Sequence, residues 1–247
     1  MNKIYKYKLF IFKDEKGAAV GAAKSLIRTV KEKKNANLGL ATGGTAIPVY
    51  DYMALDYANN KTDYSKVRTF NLDEYININS IYIHESYRAY MNFRLFTKIN
   101  VKLANTHFPD PKHAAAYETL IKKHGGLDAQ IISLGHNGHI AYNEPGSSLN
   151  SITRVIKLTQ STIDANSRFF EGNKNFVPKT AVSMGIKSIL DAKKVIVIVT
   201  GIGKATALRH IFLNKYDKQW PCTSVLLHRN VEIYVDAKTA IAAGYKK

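Results

Sequence analysis

The stretch KKVIVIVT, Lys193–Thr200, decides the fold. A strand with one wet face alternates apolar and polar residues, whereas this run is continuously β-branched between its lysines and its threonine. Such a run needs cover on both faces, as in a strand inside a parallel sheet flanked by helices. Its length suits a strand and falls short of a buried helix. Downstream, VEIYVD (Val231–Asp236) reads as another strand. Upstream, AQIISLG (Ala129–Gly135), VRTFNLD (Val67–Asp73), LGLAT (Leu38–Thr42) and KYKLFIF (Lys6–Phe12) do the same, with a further segment at Arg154–Thr159.

Helical patterns fill the gaps. Glu15–Lys33 places Ala18, Ala22, Leu26 and Val30 on one face, and further helices are predicted over Ile47–Ala58, Ser86–Phe96, His113–His124 and Ser161–Phe170. Another begins near Lys204 and a short one follows Asp236, while Pro109 and Pro111 punctuate the middle of the chain. Strands alternating with helices predict an α/β protein: one domain over residues 1–247, doubly wound, with a mostly parallel sheet and helices on both faces, Rossmann-like. No internal repeat, low-complexity tract or linker interrupts this order.

The composition narrows the class. A chain of 247 residues, 45% hydrophobic, is long enough for one large core. The single Cys222 excludes an intrachain disulfide framework and fits a reducing compartment. The apolar run LFIF near the N-terminus is too short for a signal peptide, and no segment reaches the ~18 apolar residues of a membrane span. A cytoplasmic protein is expected. The formal charge of +17 raises nucleic acid as a partner, but 28 of the 36 basic residues are lysines scattered along the chain. Their densest group, Lys31, Lys33 and Lys34, closes a predicted helix, where cations favour the dipole. No zinc-finger spacing, basic zipper or aromatic RNA motif accompanies them, so neither nucleic acid nor membrane is expected as a partner. The charge can help attract an anionic metabolite.

Chemistry gathers after the strands. GHNGHIAYNEP (Gly135–Pro145) leaves a buried strand as a loop and carries His136, His139 and Glu144. Loops leaving strand ends are where α/β proteins place their reactive groups. His139 gains or loses a proton near neutral pH, with Glu144 close enough in sequence to orient it. His136 and His139 have H-x-x-H spacing, but no second ligand cluster joins them, so no metal is expected. Thr42-Gly43-Gly44-Thr45 follows a strand and opens a helix, offering unpaired N–H groups to a phosphate. Lys204, also at a helix start, can add a point charge, and Arg168 a bidentate fork. Asp73, at the end of VRTFNLD, can act as a general base, with Glu74 beside it. Each has an ordinary alternative: a tight turn, a surface cation, a helix cap. Together they point to acid–base chemistry on a small phosphorylated molecule.

The segments LGLATGGT, TFNLDEY, GHNGHIAYNEPGSS, ANSRFF and GIGKATAL resemble, in order, the signature segments of glucosamine-6-phosphate deaminases (glucosamine-6-phosphate isomerases), and HESYRAYMNFRLF and PCTSVLLHRNVEIYVD also fit that family. The resemblance covers nearly the whole chain. It implies conversion of glucosamine 6-phosphate to fructose 6-phosphate and ammonia, with no redox cofactor and no catalytic metal. It also implies roles. His139 would assist pyranose opening, oriented by Glu144 and Asn137, and Asp73 would move a proton from C2 to C1 through a cis-enolamine. Thr42, Gly43, Gly44, Thr45, Arg168 and Lys204 would hold the phosphate.

Three positions depart from the pattern. Asn137 stands where many members have Asp, and a neutral amide adds no charge to raise the imidazole pKa. Ile152 and Ile156 replace residues that are basic in members activated by N-acetylglucosamine 6-phosphate, although Arg154 is kept. The chain also ends soon after VEIYVD. These features argue against allosteric activation and its hexamer, leaving a monomer or small homo-oligomer as the expectation. A 6-phosphogluconolactonase-like hydrolase is the enzyme alternative. A non-catalytic sugar-phosphate-sensing regulator is the other, though the first strand begins too early to leave room for a helix-turn-helix.

Overall fold

The computed structural model describes residues 3–246. Its strands are β1 (Lys8–Phe12), β2 (Asn37–Leu40), β3 (Arg68–Asn71), β4 (Asp73–Tyr75), β5 (Thr106–His107), β6 (Ala129–Ser133), β7 (Arg154–Lys157), β8 (Thr180–Ser183), β9 (Val195–Val199) and β10 (Val231–Asp236). Its helices are α1 (Glu15–Glu32), α2 (Ile47–Asn60), α3 (Tyr87–Arg94), α4 (Ala114–Lys123), α5 (Gln160–Asn166), α6 (Ile186–Leu190), α7 (Ala205–Phe212) and α8 (Ala237–Ala242). Seven strands form one parallel sheet in the order β1-β10-β9-β6-β2-β3-β5.

The opening stretch sits where its composition demands. All five residues of β9 are buried, between β6 and β10. Burying each such Val or Ile contributes about 1.5–3 kcal/mol, which is why a run without polar positions belongs at the sheet centre. Helix α1 begins at the Asp14 cap, whose carboxylate accepts the Gly17 N–H at 2.8 Å. Its predicted inner face is correct: Ala18, Ala22, Leu26 and Val30 are all buried.

Several features were not foreseen. VRTFNLD is not one strand, because β3 ends at Asn71 and the chain turns at Leu72. The Leu72 N–H donates to the Leu40 carbonyl (3.0 Å), and its own carbonyl accepts from Met184 N–H (2.7 Å). Asp73 therefore opens β4, which belongs to a second, antiparallel sheet in the order β4-β8-β7. The Arg154–Thr159 segment supplies β7 of that same small sheet, outside the parallel one. Strands β5 and β8 had no counterpart in the sequence reading, and Ser161–Phe170 divides into α5 and a 3-10 turn at Ser167–Phe169.

The topology fixes where a ligand goes. From β2 the chain runs through β3 to β5 at one edge; from β6, beside β2, it runs through β9 to β10 in the other direction. Chains leaving adjacent strands in opposite directions open a crevice at the carboxyl ends of those strands. The loops at Thr42–Thr45 and Gly135–Pro145 leave these two strands.

Candidate active site

The phosphate candidates come from two strand–turn–helix junctions. Gly43 (φ 101°) and Gly201 (φ 91°) each precede a 3-10 turn that leads into a helix, α2 and α7 respectively. A side chain strains at these angles, so glycine is what lets the chain turn there. A Cβ at Gly43 or Gly44 would meet no atom within 4 Å, so the space above this turn is open. Across it, Lys204 Nζ donates to Thr45 Oγ1 at 2.6 Å. Burial pushes the Lys204 ammonium down to about 8, partly offset by the charge of Glu15. An ammonium held by one hydroxyl in a part-buried turn is ready for an anion.

Asp73 occupies the base position. It is 7% exposed, and no protein group among the described residues hydrogen-bonds its carboxylate. Burial, then the charge of Glu74, pushes it up to about 8. Glu74 is a structural group: Oε1 accepts from Tyr75 and Tyr87 N–H (2.9 Å each) and Oε2 from Arg88 N–H (2.9 Å), capping α3. The helix-cap alternative weighed for this acidic pair thus describes Glu74 and not Asp73.

The Gly135–Pro145 loop is pinned at several points. Asn143, fully buried, donates to the Ile140 carbonyl (3.0 Å) and the Met184 carbonyl (2.8 Å). Ala141 has φ 50°, a strained angle for a residue with a Cβ. The Tyr142 N–H donates to Ser183 Oγ (3.2 Å), and Ser183 is the β8 partner of Asp73, so the small sheet joins loop and base.

Glu144 is the hub of this loop. It accepts from Asn137 Nδ2 (2.8 Å), Thr162 Oγ1 (3.1 Å) and Thr159 Oγ1 (3.4 Å), and it lies 3.7 Å from His139 Nδ1. Burial works against its charge, but His139, Asn137 and Thr162 together outweigh it and hold the carboxyl at about 2. At 3.7 Å the His139 contact is too long for a hydrogen bond. Asn137 makes no hydrogen bond to the imidazole: its amide donates to Glu144 and its oxygen accepts the His139 backbone N–H (3.2 Å). The two histidines face different partners, because His136 Nδ1 donates to the Gly203 carbonyl at 2.9 Å.

The structure thus assembles Asp73, Asn137, His139, Glu144, Thr42, Gly43, Gly44, Thr45 and Lys204 around the carboxyl ends of the strands. Arg168 is the exception. It is exposed on the turn after α5, with its guanidinium 4.8 Å above the Phe169 ring, and makes no hydrogen bond to Thr45 or Lys204. A tyrosine cluster was missed by the sequence reading. Tyr87 and Tyr142 share a hydroxyl–hydroxyl hydrogen bond, and Asn166 Nδ2 donates to Tyr75 Oη (2.9 Å) and Tyr142 Oη (3.4 Å). Burial, with Asp73 among the nearby charges, pushes the Tyr87 and Tyr142 hydroxyls up, so they stay protonated donors beside the base. Its members lie in the quoted segments TFNLDEY, HESYRAYMNFRLF, GHNGHIAYNEPGSS and ANSRFF, but nothing in those segments shows that the side chains meet.

Comparison with known proteins gives the same outline. The family model described as glucosamine-6-phosphate isomerases/6-phosphogluconolactonase matches residues 15–235. A glucosamine-6-phosphate deaminase of Mycoplasma mycoides is 40% identical over 236 residues, covering 94% of this chain and 96% of the relative. One from Staphylococcus epidermidis is 42% identical over 230 residues, covering 90% and 94%. A solved monomeric glucosamine-6-phosphate deaminase of the NagB superfamily superposes with a TM-score of 0.91 at 33% identity, covering 95% of this chain and 99% of that one. A 6-phosphogluconolactonase from Trypanosoma cruzi shares the fold, with a TM-score of 0.77 at 17% identity.

Proposed function

Because the chain belongs to the family of glucosamine-6-phosphate isomerases and 6-phosphogluconolactonases, we propose that it is a glucosamine-6-phosphate deaminase, forming fructose 6-phosphate and ammonia. The observation that carries this reading is Asp73: a buried carboxylate without a protein partner, raised to about 8, at the mouth of the sheet. Lactone hydrolysis needs no carbon acid to be deprotonated, whereas aldose–ketose isomerisation does.

The Thr42–Thr45 turn and Lys204 hold the phosphate, with Arg168 joining once it leaves Phe169. His139, steadied by the ionised Glu144, passes the proton of the anomeric hydroxyl to the ring oxygen and opens the pyranose. Asp73 takes the C2 proton, leaving a cis-enolamine, and returns a proton to C1. The C2 imine that results is hydrolysed to ketone and ammonia. A substrate ammonium at C2 supplies the positive charge that Asp73 lacks, lowering its pKa on binding and readying the base. A fixed phosphate supplies the orientation for both transfers.

The reading places residues 1–247 as one catalytic unit in the cytoplasm, in keeping with a lone, buried Cys222. It also makes the protein a monomer or small oligomer, as its monomeric relative supports. With Ile152 and Ile156 on β7 and its approach, rates should be hyperbolic in substrate and indifferent to N-acetylglucosamine 6-phosphate. The test is ammonia release from glucosamine 6-phosphate by purified protein, with hydrolysis of 6-phosphogluconolactone followed in parallel. Lactone hydrolysis without ammonia would overturn the proposal.

A further inference from the structure

We infer that His136 is a positioning residue that latches the phosphate-binding turn to the loop carrying His139, and so sets affinity for the phosphorylated end of the substrate. The inference rests on the deaminase reading for its substrate and on geometry alone for the latch.

Three observations converge. His136 Nδ1 lies 2.9 Å from the Gly203 carbonyl, and since a carbonyl only accepts, Nδ1 is the donor. Gly203 immediately precedes Lys204 in the same 3-10 turn, so the carbonyl held by His136 sits next to the residue that carries the ammonium. The imidazole also lies against Gly203: a Cβ there would come within 2.7 Å of Cε1 and 2.9 Å of Nδ1. Gly203 is thus the residue that lets the ring approach.

The latch holds the Gly203 side of the turn, while its other end is tied by the Gly201 N–H to Asp236 Oδ2 at 3.2 Å. Among the described residues Lys204 Nζ hydrogen-bonds only Thr45 Oγ1, and the Lys204 N–H closes the turn onto the Gly201 carbonyl at 3.0 Å. His136 is exposed, so it contributes little to the core, and its loop is fixed independently by Asn143 and by the Gly135 N–H to His139 carbonyl bond (2.9 Å). The loop that carries His139 thus braces the turn that carries Lys204. Orientation of a binding charge by a supporting contact is worth the energy of that contact when the charge would otherwise sample several positions.

The experiment compares His136→Ala, His136→Asn and Gly203→Ala in the full chain. His136→Ala should raise KM for glucosamine 6-phosphate between about two- and tenfold, the range of one neutral hydrogen bond, with kcat changed less than about twofold. The Ki of inorganic phosphate as a competitive inhibitor should rise in parallel. His136→Asn should restore both constants, because the Asn Nδ2 stands where the imidazole Nδ1 stood. Gly203→Ala should raise KM in the wild-type background by pushing the ring away, and add nothing to His136→Ala, since the two act through one contact. A fall in kcat with KM unchanged, failure of Asn to rescue, or additive effects in the double variant would each overturn the latch. If the wild type released no ammonia, the deaminase reading would fall. The latch would still be judged by phosphate affinity from calorimetry: equal affinity in wild type and His136→Ala would sink it, and a loss restored by Asn would uphold it.

Discussion

Asp73 and Asp128 are each 7% exposed; Asp73 lies just beyond the carboxyl end of β3 and Asp128 just before the amino end of β6. Asp128 precedes β6 at the amino ends of the strands, where Lys33 Nζ (2.7 Å), Lys193 Nζ (2.8 Å) and the Asn37 N–H (2.8 Å) all donate to it. Burial opposes its charge, but the two lysines and the amide outweigh burial and hold its pKa below the usual carboxylate range. Asp73, at the carboxyl ends, has no such donors and is pushed up to about 8. Solvent exposure is the same for the two, but Asp73 is the more deeply desolvated, and the partners differ as well. One end of the sheet spends its buried charge on stability, while the other leaves a carboxyl without partners, so that a cationic substrate can ionise it on binding.

The largest expected effect tests the unsatisfied end. Asp73→Asn should lower kcat by about 10²–10⁴-fold, the usual worth of a positioned general base. Folding should move the other way. A carboxyl whose folded pKa is raised favours the native state fully at low pH, and that advantage is lost as pH rises from its unfolded value through about 8. The variant's Tm should therefore be at least that of wild type, with the difference widening between pH 4 and pH 8. Turnover near the wild-type level would end the case for Asp73 as base. Glu74 could not replace it while capping α3.

The next effect concerns the anion side of the same edge. Lys204→Ala should raise KM for glucosamine 6-phosphate about 10–150-fold, matching the ~1.5–3 kcal/mol of a charge-assisted contact. Arg168→Ala should cost less, because that guanidinium must first leave Phe169 and solvent. In wild type, kcat/KM should rise with pH as Asp73 ionises and fall above about 8 as Lys204 loses its proton. Lys204→Met should remove the alkaline limb alone. An alkaline limb that survives in Lys204→Met assigns it to another group.

How much of this was legible in the sequence follows from range. The sheet centre was readable in KKVIVIVT, and the inner face of α1 in its spacing, because burial on every face of a local element leaves a local pattern. The turn at Gly43 was also readable, being set by the glycines themselves. The small sheet was not: β4 has three residues, β7 alternates half-buried with exposed positions, and Asp73 meets Ser183 only through tertiary pairing. Asn137 was legible as a candidate, yet its partners, Glu144 and a backbone N–H, depend on how the loop closes. His136 and Gly203, separated by 67 positions, gave no sequence signal of their contact.

A smaller effect is expected where the site end borrows the strategy of the other. Asn137 Nδ2 gives Glu144 a neutral donor at 2.8 Å. Asn137→Asp would replace it with a second carboxylate against Glu144 Oε2, and such a pair holds a shared proton at a raised pKa. The stability of the pair is then present at low pH and lost as pH rises through that value. The variant's Tm deficit should be larger at pH 8 than at pH 5, and the acidic limb of kcat/KM should move upward. An unchanged limb and a pH-independent Tm would mean that the new carboxylate points away from Glu144, and that the amide's role is only to accept the His139 N–H.

The smallest effect on activity is expected at the satisfied end, and it is the one that separates the two aspartates most cleanly. Asp128→Asn keeps an acceptor for the Asn37 N–H but removes the charge that Lys33 and Lys193 share. Both lysines are partly exposed, at 38% and 63%, so water takes up part of what they lose. A loss of about 1–2 kcal/mol follows, or a Tm lower by about 2–8 °C for a chain of this size. Here the sign is opposite to that of Asp73. A carboxyl with a lowered folded pKa contributes stability above its unfolded value of about 3.9, and that contribution fades as pH falls through the folded value. Wild type and Asp128→Asn should therefore differ at pH 7 and converge in acid, whereas wild type and Asp73→Asn differ most at pH 8, with the variant ahead. Both kcat and KM should be unchanged in Asp128→Asn, because its contacts lie at the far ends of the strands. A fall in kcat there would show that the two ends are coupled through the sheet, and the division between a stabilising edge and a reactive edge would not hold.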